Sequence, residues 1–318
     1  MIRESTSIYI AIPTFRRTAL LSKLLEALAG QRLSVDPSTV CVFVLDNDVA
    51  RSAEATVSDF AGSFPFALRY EHVAEPGLTS VRNRSLTLAN GGCDLLAMID
   101  DDELPEPQWL DELLSAQRRT KSAVAVGPVP PILPDTAPRW LREFRARELP
   151  VYPDGTFLHD GWSGNCLLDM KAIRSLDVTF DSTLNFAGGE DQLFFRQIVA
   201  RGGRIVYAAR AIAWEDTPLV RQSLRFILLR SFRRGNTLAL CDLRLQRRAN
   251  AIASRGLKAI ATMMRGAIKA LVAVLRREPS CAVEGACDGM AALGMIARLA
   301  GITYQAYRQP KTSSASPC

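Results

Sequence analysis

Three consecutive carboxylates, Asp100-Asp101-Asp102, followed by Glu103, stand directly after an apolar run that ends Met98-Ile99. Adjacent like charges repel, so the cluster is costly unless a cation neutralises it. Hard oxygen donors at this spacing suit Mg²⁺ or Mn²⁺ bridging a diphosphate. A solvated acidic turn is the plain alternative. A second acidic pair, Glu190-Asp191, follows Gly188-Gly189 and opens a stretch with helical spacing. Carboxylates at that point cap a helix and compensate its dipole. One held on such a turn, near the other acids, also has the place of a general base for an acceptor hydroxyl. The only histidines are His72 and His159, which makes the chain a poor candidate for a Ser-His-Asp hydrolase.

The acids fall where strands end. Ser7 to Ile12 reads as a short strand stopping at Pro13, and Leu20 to Leu28 as a helix. Val40 to Leu45 is continuously apolar up to Asp46, the pattern of a strand covered on both faces. Ala67 to Val73 reads as strand, Leu78 to Asn90 as helix, Asp94 to Ile99 as buried strand and Gln108 to Gln117 as helix. Repeated βα units predict a doubly wound, mostly parallel α/β sheet with ligands at the carboxyl ends of its strands. Beyond Gly127 five prolines mark a connection across the sheet face, and Trp140 to Gly161 shows no clear period. Gly164 to Met170 and Arg204 to Ala208 read as strands, Asp191 to Ala200 as helix, and residues from Leu219 onward as mainly helical, with a low-complexity tail over 311–318.

Composition bounds the class. The 318 residues, 48% of them hydrophobic, allow one large or two modest domains with a full core. The formal charge of +6 joins unlike parts: residues 1–218 carry a net −7 and residues 219–318 a net +13. Seven scattered cysteines, without CxxC spacing, argue against a disulfide framework or a zinc site and for a reducing compartment. The N-terminal segment lacks a secretory pattern, and no apolar run approaches the ~20 residues of a membrane span.

Around the acids the sequence resembles the family 2 glycosyltransferases, inverting enzymes of the GT-A fold, and in particular the branch that builds bacterial exopolysaccharides of the succinoglycan type. The stations run in order: Ile12-Pro13-Thr14-Phe15-Arg16-Arg17, Asp46, Gly77-Leu78-Thr79-Ser80-Val81-Arg82-Asn83-Arg84 and Asp100-Asp101-Asp102. Gly164-Asn165, Phe180-Asp181, Gly189-Glu190-Asp191 with Arg196, Trp214-Glu215 and Arg230 to Gly235 continue them. The resemblance implies a nucleotide-diphosphate sugar donor, UDP-linked above all, and a Mg²⁺ or Mn²⁺ cofactor. Pro13, Thr14, Phe15 and Arg16 would line the nucleotide, Phe15 stacking on the base, and Asp46 would meet the uracil ring nitrogen. Arg82 would reach the nucleotide or its phosphates, Asp101 the ribose or sugar, and Asp102 with Asp100 the metal. Asp191 would be the catalytic base. Trp162, Asn165 and Glu190 are expected toward the acceptor, and Arg230 or Arg234 toward the diphosphate. The Gln-x-x-Arg-Trp motif of many relatives is absent, which favours single addition over processive synthesis.

This reading divides the chain into a GT-A catalytic domain, 1–237, and a basic helical region, 238–318. Within the latter, Lys258, Arg265, Lys269 and Arg276 share one helical face and Leu257, Ile260, Met264, Ile268, Leu271 and Leu275 the opposing one. Such a helix suits an anionic membrane surface, or docks on the catalytic domain with its basic face in water. The expected partners are thus a nucleotide-diphosphate sugar, a saccharide or lipid-linked oligosaccharide acceptor and an anionic membrane, with no nucleic acid. The expected location is cytoplasmic, peripheral on the inner membrane. A nucleotidyltransferase and a non-catalytic basic binding module are the competing readings. The first would want a Gly-rich, Lys-containing phosphate loop after the first strand, where this chain has Ile-Pro-Thr-Phe-Arg-Arg-Thr-Ala.

Overall fold

The computed structural model describes residues 6–148, 151–185 and 187–304, so the tail 311–318 lies outside the described residues. The first half is built from β1 (Ile8–Thr14), α1 (Thr18–Ala29), β2 (Val40–Asp46), α2 (Glu54–Ala61), β3 (Ala67–His72), α3 (Leu78–Ala89), β4 (Leu95–Ile99), β5 (Glu103–Pro105) and α4 (Trp109–Thr120). Then come β6 (Val124–Val126), β7 (Pro131–Ile132), α5 (Arg139–Glu148), β8 (Phe157–Leu158), β9 (Asn165–Asp169), α6 (Met170–Leu176), α7 (Glu190–Ala200), β10 (Ile205–Tyr207) and β11 (Ala213–Asp216). Three long helices close the chain: α8 (Leu224–Leu245), α9 (Arg248–Arg276) and α10 (Pro279–Leu299).

Eight strands form one sheet in the order β3-β2-β1-β4-β9-β6-β10-β8. The β1, β2, β3 and β4 block is parallel, as is the β6–β10 pair, whereas β9 runs antiparallel between β4 and β6. Every residue of β2 and β4 is buried, as continuous apolarity predicts for strands covered on both faces. Leu21, Leu24, Leu25 and Leu28 of α1 cover one face, joined in that core by Trp109, Leu110, Leu113 and Leu114 of α4. Strand β1 does not stop at Pro13: Pro13 stays in register with Leu45, and pairing with β4 ends earlier, at Ala11. On that side the missing proline N–H has no strand partner to lose.

A small second sheet, β5-β11-β7, crosses the carboxyl end of β4 and pairs Glu103 with Glu215 and Leu104 with Trp214. The stretch 140–161, without period in sequence, contains α5, whose Leu141 and Phe144 pack with Ile227 of α8. In the helical region α10 packs along both α8 and α9. The contacts are backbone-close: a side chain on Gly235 or Gly294 would meet the carbonyl of Ala291 or Phe232, and one on Gly266 the carbonyl of Gly285. The division expected after residue 237 falls inside α8, a single helix whose Thr237 packs against Gly189 at the head of α7. Among the described residues no helix is long and apolar enough to cross a membrane.

Helix α9 is oriented differently from a docked helix with a solvated basic face. Arg265 and Lys269 of its basic face pair with Asp288 and Glu284 of α10. Its apolar face is the one left open, with Leu257, Ile260, Met264, Ile268, Leu271 and Leu275 between 59% and 74% exposed.

Candidate active site

The end of β4 delivers Asp100, Asp101 and Asp102 to the point where β1 ends and β5 begins. Asp101 is buried and accepts hydrogen bonds from Thr14 Oγ1 (2.8 Å) and Arg17 Nη1 (2.9 Å). Asp102 Oδ2 receives Arg17 Nη1 at 3.1 Å and Arg221 Nη1 at 3.2 Å, and Arg221 also holds Glu215 Oε1 at 2.6 Å. Beneath them lies Gly164, where a side chain would collide with the carboxylates of Glu103 and Asp100. Glu103 is buried, one of its oxygens has no hydrogen-bond partner, and burial with neighbouring Asp100, Asp102 and Glu215 raises its pKa well above the ordinary value.

The second acidic pair joins this cluster through Arg82. That guanidinium is buried, donates to Glu190 Oε1 at 2.5 Å and stands 3.9 Å from Asp100 Oδ1. Burial raises the Glu190 pKa, with Arg82 opposing and Asp191 adding to the rise. Asp191 follows in the first turn of α7 and accepts a bond from the Gln192 backbone N–H at 2.7 Å. Gly188 and Gly189, at φ 77° and 90°, make the left-handed turn that aims this helix start at the strand ends. Asp191, expected as the base, therefore stands near enough for its charge to act on Asp100 of the β4 acids.

Asp100 is the most exposed of the β4 acids, and burial together with the charges of Asp102, Asp101 and Asp191 lifts its pKa to about 6 against the pull of Arg82. An acid raised in the folded state binds its proton more tightly there than in the unfolded chain. The cation-free protein should therefore lose stability as pH rises from about 4 toward about 6. Cation-dependent UDP binding should run the other way, weakening up to about tenfold per unit as pH falls below about 6. Thermal melts in EDTA and UDP titrations with Mn²⁺ across this range check both slopes.

The donor set fits a hard cation. All candidate ligands are oxygens, Glu103 holds an unpartnered one, and Asp102 already attracts two guanidinium groups. Among the described residues no three metal-ligating side chains converge. The chain thus offers Asp102 and Asp100, and Mg²⁺-like ions are commonly held by one or two carboxylates plus substrate phosphates.

Other expected site residues separate into two groups. Pro13 and Thr14 are buried at the end of β1, while Phe15 is 52% exposed with the Arg16 guanidinium over its ring at 5.0 Å. Arg16 pairs with Asp48 at 3.0 Å. Asp46 is fully buried, and its carboxylate accepts from the backbone N–H groups of Asp48 and Ala53 and from Tyr70 Oη, so it ties the β2 turn. Asn165 is likewise engaged within the protein. Fully buried, it accepts from Trp109 Nε1 and donates to the carbonyls of Pro128 and Ala211. Trp162 donates to the Gly127 carbonyl and packs edge-on against Tyr207, leaving part of its ring open. Arg82 faces Glu190 rather than open cleft. Arg234 lines a cavity between the long helices, Arg230 is exposed on α8, and the arginine whose charge reaches Glu190 is Arg233. Arg17 and Arg221, which hold Asp101 and Asp102, were not singled out in sequence. Arg17 lay within a quoted motif, but nothing local marks Arg221.

The family model described as glycosyl transferase family 2 matches residues 9–177. The chain is similar to the succinoglycan biosynthesis protein ExoM of Rhizobium meliloti (strain 1021), 35% identical over 239 residues that cover 74% of this chain and 75% of that protein. Among solved structures it resembles mannosyltransferase PcManGT from Pyrobaculum calidifontis in complex with GDP-Man and Mn²⁺, at a TM-score of 0.64 and 15% identity over 92% of this chain and 87% of that one. It also resembles S. aureus TarS 1-349 in complex with UDP-GlcNAc, at a TM-score of 0.55 and 13% identity over 94% and 93% of the two chains. At these identities the structural likenesses establish the fold, a GT-A-like α/β sheet flanked by helices.

Proposed function

The chain belongs to glycosyl transferase family 2, and from that premise we propose that it moves one sugar from a nucleotide-diphosphate donor, UDP-linked in the first instance, to a saccharide or lipid-linked acceptor in bacterial polysaccharide assembly, with inversion. The observation that carries this reading is the meeting of the β4 carboxylates with the first turn of α7, bridged by Arg82 between Asp100 and Glu190.

Asp191 takes the proton of the acceptor hydroxyl. The freed oxygen forms its bond to the anomeric carbon from the face opposite the nucleotide, and the bond to the diphosphate oxygen breaks with its electron pair. Mg²⁺ or Mn²⁺ at Asp102 and Asp100, when bound, would stabilise the charge growing on that leaving group. Phe15 offers the exposed ring for the base. Arg17 and Arg221 neutralise Asp101 and Asp102 and are near enough to turn toward phosphate oxygens when those carboxylates are engaged otherwise. Arg82 holds Glu190 and thereby fixes the turn from which Asp191 acts.

The place of work in this reading is the cytoplasmic side of the inner membrane, with the exposed apolar face of α9 as the peripheral contact. A screen of UDP-, GDP- and dTDP-sugars with Mn²⁺ or Mg²⁺ should find one donor that is hydrolysed or transferred. Inertness toward every donor, with a saccharide acceptor and either cation present, would sink the reading.

A further inference from the structure

A cavity of about 680 Å³ lies between α8 and α9, with α10 as its floor and α5 at one end. Six cations and three carboxylates line it. The carboxylates are already engaged: Glu148 by Arg145, Glu284 by Arg147 and Lys269, and Asp288 by Arg265 and Lys269. Arg255 is engaged in turn by Asp242, at 2.6 Å. Two cations remain, Arg234 on α8 and Lys258 on α9, both exposed and without an ion-pair partner among the described residues. The groove therefore carries a positive surplus with room for a tetrahedral oxyanion.

The same α9 that supplies Lys258 turns its opposite side outward as an apolar stripe from Leu257 to Leu275, about 27 Å long at 1.5 Å per residue. A contiguous apolar surface of that extent on a water-soluble face marks a contact site. Its surroundings select the contact. Arg247 and Arg248 precede the stripe, Arg276 and Arg277 follow it, and none has an ion-pair partner among the described residues. A second copy brought against this face would set like charges against like. An anionic lipid surface complements both features at once, hydrocarbon to the stripe and phosphate to the cations.

We infer that the groove between α8 and α9 is a binding site for the phosphate of an anionic lipid, with the apolar face of α9 seated among the acyl chains. This rests on the reading of α9 as the membrane contact and adds a defined headgroup site to it. Arg233 and Arg234 are successive residues of α8, the first close enough to influence Glu190 and the second lining the groove. The groove thus shares α8 with the arginine whose charge reaches the acid pair at the head of α7.

The test is co-sedimentation of the full chain with vesicles of equal parts phosphatidylglycerol and phosphatidylcholine, against pure phosphatidylcholine. The wild type should pellet with the first far better than with the second. Lys258→Glu changes the exposed charge by two units and should weaken binding to the anionic vesicles about thirtyfold, at about fivefold per unit charge near a surface. Ile260→Asp with Ile268→Asp, also at exposed positions, should abolish pelleting, and circular dichroism melts check that both variants stay folded. Donor hydrolysis without vesicles should be unchanged in Lys258→Glu, so failure of the lipid site is told apart from failure of the transferase reading. Wild-type pelleting by both variants overturns the inference. So does saturable calorimetric binding of inorganic diphosphate that Lys258→Glu removes while vesicle binding is nil, which assigns the groove to a soluble phosphate. A concentration-dependent dimer dissolved by the paired aspartates assigns the face to a second copy and overturns it too.

Discussion

Asp191→Asn should lower sugar transfer by about 10²–10⁴-fold while UDP binding in the presence of Mn²⁺ stays near that of the wild type. The substitution keeps the side chain's size and its carbonyl oxygen, so the bond from the Gln192 N–H at the head of α7 can persist. What is lost is the oxygen able to take a proton. A second readout separates this from misplacement of the site. The negative charge of Asp191 helps to raise the pKa of Asp100, so removing it should let cation-dependent UDP binding persist to lower pH than in the wild type. Steady-state rates with the best donor and UDP titrations across pH measure the two effects. Full turnover in the variant would remove Asp191 from the role of base.

The second large effect is on stability. In Arg82→Ala, Glu190 stays buried beside Asp191 with its nearest cation gone, whereas in the wild type both partners of this pair are about 5–6% exposed at 2.5 Å. Removing one member of a buried pair typically costs about 3–5 kcal/mol, and the midpoint of thermal unfolding should fall by roughly 10 °C. Glu190 can escape the penalty by taking a proton. Its pKa, already raised by burial, should rise further, so the deficit shrinks as pH falls. Arg82→Met combined with Glu190→Gln should recover much of the loss, because the charge of Glu190 is then gone, while Asp100 still lacks the cation that faces it in the wild type. Melts of the three proteins at neutral and acidic pH decide this, and an Arg82→Ala deficit below about 1 kcal/mol would show the pair to be solvated.

How far the sequence could be read follows from the range of each interaction. Apolar runs ending in acids placed β2, β4 and the Asp100 cluster, because a strand buried on both faces must be apolar until it leaves the sheet, whereas β1 runs on through Pro13 to Thr14. The head of α7 was legible from Gly188-Gly189 and the helical period after it. Asp46 and Asp100 both follow buried strands, yet one ties a turn and the other faces the cleft, a difference made by Tyr70 and the Ala53 N–H. Glu215 joins the acids through its pairing with β5, three residues long and too short to announce itself, and through Arg221, distant in sequence from Asp102. Periodicity gave α9 two faces but not the one left bare. That choice depends on glycine contacts such as Gly266 with Gly285, which bring α10 against one side of the helix.

The antiparallel strand β9 gives the fold a way to diversify. Where β6 ends, the Gly127 N–H donates to the Asn165 carbonyl, at the start of β9, at 3.1 Å. Between β6 and β9 the chain returns to the main sheet once, where β8 pairs with β10. Doubling the length of the loop that precedes β8 costs only about 0.6 kcal/mol in closure entropy. Its outer part can be lengthened, shortened or exchanged while Asp100 remains pinned by the opposite edge of β9, where Ile99 pairs with Asn165. Descent with such exchanges would leave the β4 acids unaltered, which makes residues 133–156, ahead of β8, the natural segment to graft when a new acceptor specificity is sought.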